Sequence, residues 1–363
     1  MLQTMMAKQF SESAPELYKA MSIYSEHCLA ERGVKGKKFA ETSKSDMEMA
    51  INKMFADELT KQSKMDVSQF QGSLERYANS TIVKEFANSI RDYMIDMVLP
   101  ETLLNGVLPY FANFKFEGFG ESMSFEIENN ALFTVSKAGY RQRNTNMQKL
   151  YKTTVTLVPE NREVTVGTDL FEILKGREFI AREVMKAVRS IESQMLYDAY
   201  DAFHTAMGGL TGNLTVANYS ETALIKLCET IGAYNQGRKP IILGTPVALK
   251  AVLPSNANYR YLLEDDYVKL GHLQTFNGYD VIPMEQVADY TTEDYSLKLD
   301  DTMIYVVSPA SEKLVQIGVG GSIVSNTDST YANANLLQMS TLSKAWDVQV
   351  VTNSVAGSVK NLG

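Results

Sequence analysis

Ser136-Lys-Ala-Gly-Tyr-Arg-Gln-Arg-Asn-Thr-Asn146 is polar, basic and glycine-bearing, and it lies between two stretches in which apolar and polar residues alternate. Before it, Phe114 and Phe116, then Met123, Phe125 and Ile127, take every second place; after it, Tyr151-Lys-Thr-Thr-Val-Thr-Leu-Val158 does the same. Alternation of period two predicts strands, so 136–146 reads as the tip of a long hairpin. Arms of about fourteen residues would reach roughly 45 Å at about 3.3 Å per residue. Two strands that long are at best marginally stable alone in water. The hairpin must therefore lie on another surface, its own or a neighbour's, and this implicates a partner.

Downstream, Asp169-Leu-Phe-Glu172 is an aspartate version of the capping box, opening a short helix that Gly176 can close. A longer helix follows over 178–207. Ile180, Val184, Ala187, Val188, Ile191, Met195, Ala199 and Phe203 form its apolar stripe, and Glu178 and Arg182 are placed as a four-apart pair on its wet side. At about 1.5 Å per residue it spans roughly 45 Å, the length of a spine.

Beyond Gly208-Gly209 helical and extended patterns alternate. Ser220 caps a helix with Leu224, Leu227 and Ile231 inward; Pro240-Ile-Ile-Leu243 is a strand; Thr245-Pro246 opens a further helix that Pro254 stops. Asn277-Gly278 is the strongest short hairpin signal in the chain. Strands are expected at 302–307 and 313–319, with Gly318-Val-Gly-Gly321 read as a turn. Ala345-Trp-Asp-Val-Gln-Val-Val351 alternates again and carries the only tryptophan. The pattern favours a compact α/β lobe at 212–325, with the final strand returning to another element.

Upstream, residues 1 to about 100 permit helix nearly throughout. Ser45-Asp-Met-Glu48 reads as a capping box, followed by a stripe of Met47, Ile51, Met54, Phe55 and Leu59 over 45–64. A second stripe, Ile82, Phe86, Ile90, Tyr93, Met94 and Met97, runs to Pro100.

Composition narrows the function. The 363 residues are 45% hydrophobic and 21% charged, which is globular, and the length suggests about two domains. No apolar run approaches the roughly 20 residues of a membrane helix, and Met1–Lys8 has no signal-peptide character, so the chain is expected to be cytosolic at birth. Cys28 and Cys228 match no zinc or redox spacing, and His27, His204 and His272 are too dispersed for a local metal motif. No catalytic, cofactor-binding or metal-ligating residue is assigned. The formal charge of −8 disfavours non-specific binding of nucleic acid through the bulk surface. That charge is partitioned: Glu264 to Asp301 holds ten acidic residues against two basic, while Lys137 to Arg177 holds eight basic against four acidic. A basic projecting hairpin and an acidic lobe are what self-association with register would use.

This order of parts, with Lys239-Pro-Ile-Ile-Leu-Gly-Thr-Pro-Val247 and Gly271-His-Leu-Gln-Thr-Phe-Asn-Gly-Tyr-Asp-Val-Ile-Pro283, resembles the major capsid proteins of tailed bacteriophages with the Hong Kong 97-type fold over about 113–363. The resemblance implies an α+β chain: an N-terminal helical arm (1–112), an extended E-loop hairpin (113–167), a peripheral (P) domain (168–211 and 326–363) with its spine helix at 178–207, and an axial (A) domain (212–325). It further implies a structural, non-catalytic protein, without cofactor, that assembles with itself as pentamers and hexamers into an icosahedral shell. Portal, scaffolding or decoration proteins would be further partners, packaged double-stranded DNA would be held without sequence-specific binding, and no membrane is involved. Its place would be the virion, after assembly in the host bacterial cytoplasm. The implied subunit contacts are Lys137, Tyr140, Arg141, Arg143 and Lys149 on the E-loop, and Glu264, Asp265 and Asp266 on the A-domain surface. In the family's type member an E-loop lysine is joined to a neighbour's asparagine; Lys137, Lys149, Asn353 and Asn361 are present here, but no matching motif identifies a pair. An encapsulin-like compartment shell is the same-fold alternative, and a soluble enzyme with a scattered site the alternative from another class.

Reversing Arg141 and Arg143 to Glu should weaken assembly in a salt-dependent way, measured by light scattering across ionic strength. Unchanged assembly at low salt would make the charge partition incidental.

Overall fold

The computed structural model describes residues 14–33, 37–105, 109, 112–118, 123–128, 149, 152–255, 267, 270–289, 294–308, 313–327, 338–351 and 354–362. Among the described residues four α-helices come first: α1 (Pro15–Glu31), α2 (Lys44–Ser63), α3 (Leu74–Ala78) and α4 (Thr81–Leu104). The cap of α2 is Ser43, whose Oγ accepts from the Asp46 N–H at 3.2 Å, rather than Ser45 of the expected capping box. This leaves Glu48 free for a buried role. Helix α4 runs through Pro100 to Leu104 instead of ending there. Proline removes one backbone donor, and the burial of Val98, Leu99 and Leu103 around it holds the last turn in the core. Its buried face begins at Val83, whereas Ile82 of the expected stripe is 44% exposed.

The stretch 113–167 then divides. Its outer strands, β1 (Ala112–Glu117) and, following β2 (Met123–Glu128) and β3 (Lys152–Leu157), β4 (Glu160–Thr168), do not pair with each other. Only β2 and β3 form the hairpin, in register from Met123↔Leu157 to Glu128↔Lys152. The residues between them, including the expected tip, lie outside the described residues. Next come α5 (Leu170–Leu174), capped by Asp169 as expected, and the spine α6 (Ile180–Gly208), 29 residues long. The lobe follows with β5 (Thr215–Val216), α7 (Glu221–Tyr234), β6 (Ile241–Gly244), α8 (Pro246–Leu249), β7 (Thr275–Phe276), β8 (Tyr279–Pro283) and β9 (Ile304–Val307). Helix α8 stops well short of Pro254. The chain closes with β10 (Val315–Thr327), β11 (Gln338–Val350) and β12 (Gly357–Val359).

Two larger sheets result. The spine sheet has the order β1-β10-β11-β4, and the lobe sheet β5-β12-β9-β6-β8-β7. The final short strand thus returns to the lobe, while β10 from Val315 onward belongs to the spine sheet. Asn277 and Gly278 take φ values of 48° and 82°, left-handed at both central positions, which is the two-residue turn their sequence predicts. Every residue of the expected α6 stripe is buried. One continuous core joins α1, α2 and α4 to α6, and α6 to Ile317, Val319, Leu342 and Trp346 of the sheet. The spine therefore lies between a helical layer and a sheet. A second core, with Leu224, Leu227, Ile231, Ile242 and Val306, fills the other face of the lobe sheet.

Gly318-Val-Gly-Gly321 is not a turn. It lies within β10, whose register against β11 shifts between Gly320 and Val324. The glycines serve the hairpin: a Cβ at Gly318 would stand 2.7 Å from Met123 Sδ and 2.9 Å from Leu157 Cδ1, and one at Gly320 would stand 3.2 Å from Pro159. The apolar base of the hairpin thus packs on the spine sheet where side chains are absent. Gly318→Val should displace that base and cost about 1–3 kcal/mol of stability by overpacking, read from the denaturant midpoint; an unchanged midpoint would contradict the packing role.

Candidate functional site

The spine is fixed to the helical layer by polar side chains that stand within apolar faces. The N-cap position of α6, Phe179, has no side chain to satisfy the first turn. Asn52 of α2 does so from across the interface: its Oδ1 accepts from the Ile180 N–H at 3.0 Å, and its Nδ2 donates to the Glu178 carbonyl at 2.6 Å. One turn earlier on α2, Glu48 is fully buried and accepts through Oε1 from Tyr24 Oη and Arg182 Nε, both at 2.8 Å, while Arg182 Nη2 lies 2.7 Å from Oε2. Burial alone would raise the Glu48 carboxyl; the bonds from Arg182 and Tyr24 outweigh it and hold it below the ordinary range. Arg182 therefore pairs with the helical layer rather than with Glu178, which precedes the helix. Arg32 grips Glu192 of α6 at 2.8 and 3.3 Å, and the buried Arg91 reaches Glu183 at 2.9 Å.

A second seam joins α4 to the sheet. The ladder between β1 and β10 ends at Glu117↔Gly320, so the following N–H groups on that edge lose their strand partner. Two carboxylates replace it. Asp96 Oδ2 accepts from the Ile323 N–H at 2.9 Å, and Asp92 Oδ2 accepts from the Ser325 N–H at 3.0 Å and from its hydroxyl at 2.7 Å. Alternate N–H groups on a strand repeat at about 6.6 Å and residues one helical turn apart at about 6 Å, so a helix face can continue the ladder. Lys344, 1% exposed in its side chain, closes the seam by donating to Asp96 Oδ1 at 3.0 Å and to the Gly321 carbonyl at 2.7 Å. Burial pushes the Asp92 carboxyl up to about 6, opposed by its bonds from Ser325 and by Arg91. Burial likewise lowers the Lys344 ammonium, against the pull of Asp96.

The spine's far end meets the lobe through an ordered chain. The Asp300 N–H donates to Tyr200 Oη at 2.9 Å, Tyr200 and Tyr305 hydroxyls lie 3.2 Å apart, and Tyr305 Oη is 2.6 Å from His204 Nδ1. On the sheet side, Trp346 Nε1 donates to Asp198 Oδ2 at 2.9 Å, and the Arg162 guanidinium stands 5.5 Å over the indole. A cavity of about 200 Å³ opens there between α6, β4, β10 and β11.

Of the residues expected at subunit contacts, Lys149 is exposed, while Lys137, Tyr140, Arg141, Arg143, Glu264, Asp265 and Asp266 lie outside the described residues. Part of the lobe's acidic charge is used internally. Asp301 Oδ1 accepts from Thr245 Oγ1 at 2.6 Å and Gln286 Nε2 at 2.7 Å, and Glu285 pairs with Arg32 at 3.4 Å. Among the described residues no group of His, Cys, Asp and Glu could hold a metal ion, and no helix is long and apolar enough to cross a membrane. Cys28 and Cys228 are buried thiols, Cys228 pushed up by burial to about 12. The residues missed at sequence level are Glu48, Asn52, Asp92 and Asp96. Their signal is present, since each pair is four apart and borders an apolar stripe.

Residues 18–360 match the family model described as "SPbeta prophage-derived putative capsid protein YonB". The chain belongs to this family. As a capsid-family chain it carries helical layer, hairpin, spine, α/β lobe and returning strand in the order of the fold its sequence resembles. Similar solved structures include the mature capsid of bacteriophage PhiM1 at 12% identity and TM-score 0.42, covering 70% of this chain and 87% of that one. The capsid of a native GTA particle is similar at 14% identity and TM-score 0.46, covering 70% and 89%. A virus-like particle from Pyrococcus furiosus is similar at 12% identity and TM-score 0.40, covering 72% and 96%. No curated protein sequence matches the chain.

The α4 seam gives the capsid-family chain a pH signature. With the Asp92 carboxyl at about 6 in the fold and near 3.8 in the unfolded chain, its contribution is fully present below the lower value and lost as pH rises through the higher. Wild type minus Asp92→Asn stability should therefore grow by roughly 2–3 kcal/mol from pH 7 to pH 4, measured by denaturant unfolding at each pH; a difference independent of pH would contradict the assignment.

Proposed function

We propose that this chain is the major capsid protein of a tailed double-stranded DNA bacteriophage, a non-catalytic subunit that assembles with itself into a closed icosahedral shell. The carrying observation is the capsid-family match, which extends over residues 18–360. In this reading 1–112 supplies the N-terminal helical arm, 113–167 supplies the E-loop, 168–211 and 326–363 supply the P domain, and 212–325 supplies the A domain. The E-loop of this reading is supported by the β2–β3 pairing from Met123↔Leu157 to Glu128↔Lys152, while β1 and β4 pair within the spine sheet. Pentamers and hexamers would use Lys137, Tyr140, Arg141, Arg143 and Lys149 on one copy and Glu264, Asp265 and Asp266 on another. Portal, scaffolding or decoration proteins would complete the particle, with DNA enclosed without sequence-specific binding. The subunit would assemble in the bacterial cytoplasm and reside in the virion. Many weak contacts per subunit, closed by symmetry, suffice for such a shell.

Electron micrographs test the proposal. The full chain should give closed shells, and a chain lacking 137–146 should keep its far-UV circular dichroism yet form none. Normal shells from the deletion would overturn the E-loop assignment, and a full chain that stays monomeric under every assembly condition would overturn the shell reading.

A further inference from the structure

Lys344, Asp96 and Asp92 bring an amine and two carboxyl groups together away from water. Lys344 Nζ lies 3.0 Å from Asp96 Oδ1, and the two side chains are 1% and 11% exposed. Its other partner is the Gly321 carbonyl at 2.7 Å, supplied from a left-handed φ of 65° within the register shift of β10. Asp96 is fixed through Oδ2 by the Ile323 N–H. Asp92, one turn earlier on α4 and so about 5–6 Å away between Cβ atoms, uses only Oδ2, on Ser325. Its Oδ1 is inaccessible and has no hydrogen-bond partner among the described residues. Buried Ile323, Leu342 and Trp346 share with Lys344 the lining of the cavity beside the spine.

An ion pair in water is inert, because a protonated amine is no nucleophile and a carboxylate is a poor electrophile. Burial works against both charges and lowers the Lys344 ammonium. Passing one proton from Lys344 to Asp96 leaves a neutral amine beside a neutral acid, the form a dry site favours. The Asp92 carboxyl, at about 6, takes up and gives back a proton near neutral pH more readily than an ordinary aspartate.

We propose that Lys344 and Asp96 condense into an isopeptide bond within the chain, with Asp92 as the proton carrier. The neutral Nζ adds to Asp96 Cγ. Asp92 Oδ1 takes a proton from the nitrogen and returns it to the leaving oxygen; the C–O bond breaks and one water departs into the adjoining cavity. From ammonium and carboxylate the products are one amide and one water, so no oxidant, cofactor or second chain is consumed. Holding amine and carboxyl in enforced contact supplies the acceleration that this condensation needs. The bond ties α4 to β11 across 248 positions and removes that freedom from the unfolded chain. The inference is independent of the shell reading.

Intact-mass spectrometry reads the bond directly. The full chain, folded and kept for days near neutral pH before denaturation, should be lighter than its sequence mass by one water, about 18 Da. Lys344→Arg and Asp92→Asn, each checked for folding by far-UV circular dichroism, should keep their full masses. A tryptic digest of wild type should contain 92–115 joined to 314–360 and uncleaved at Lys344. On a denaturing gel the linked chain should run as a faster monomer without a dimer. A folded wild-type chain of full mass overturns the proposal, as does a loss of water that persists in Lys344→Arg. A linked Asp92→Asn chain overturns the role given to Asp92. Where a variant fails to fold, the wild-type mass and the joined peptide decide alone.

Discussion

A helix of 29 residues whose buried face is wider than one layer can cover needs two, and everything else in the subunit follows from how this is done. Ile180, Val184, Val188, Met195 and Phe203 are buried in a core contributed by α1, α2 and α4 on one side and by β10 and β11 on the other. Apolar burial is non-directional, so it drives the layers together without fixing their register. The directional part comes from a few polar groups. Asn52 supplies the hydrogen bonds that the start of α6 lacks, Glu48 receives Tyr24 and Arg182, and Asp92 and Asp96 take over the ladder where β1 ends.

Such groups are costly to bury and costlier to leave unpaired. Lys344 illustrates the point: its ammonium is almost inaccessible, yet it is held by a carboxylate of α4 and a carbonyl of β10. Removing the helical layer would strand that cation and the N–H groups of Ile323 and Ser325. The N-terminal helices are thus part of the spine's own structure, which ties the first third of the chain to the last strand pair.

Much of this was legible where the controlling interactions are local. The stripe of α6, the caps at Asp169, Ser220 and Thr245, and the turn at Asn277-Gly278 all depend on neighbours within a few residues, and all appear where the pattern places them. What was not legible depends on partners far away in sequence. Alternation identified β1 and β2 as strands but carries no information that β1 pairs in parallel with β10, 203 residues on at Ala112↔Val315. Gly318 and Gly320 looked like a turn because the Met123 and Leu157 side chains that exclude a Cβ come from another strand pair. Glu178 and Arg182 had favourable spacing, but the helix starts after Glu178 and Glu48 offers a better-enclosed partner. Of the expected contact residues only Lys149 is described, and it is exposed; the cavity at Trp346 had no sequence signal because four separate segments build it.

In a subunit of this design one core joins the helical layer, the spine and the spine sheet, and the base of the hairpin packs against that same sheet. The most direct measurement of that core is hydrogen exchange by mass spectrometry on the intact subunit. Peptides from 81–104 and 180–208 should open together, with protection near that of global unfolding. Exchange of the α4 peptides orders of magnitude faster than those of the spine would show a separately opening layer and contradict a single shared core.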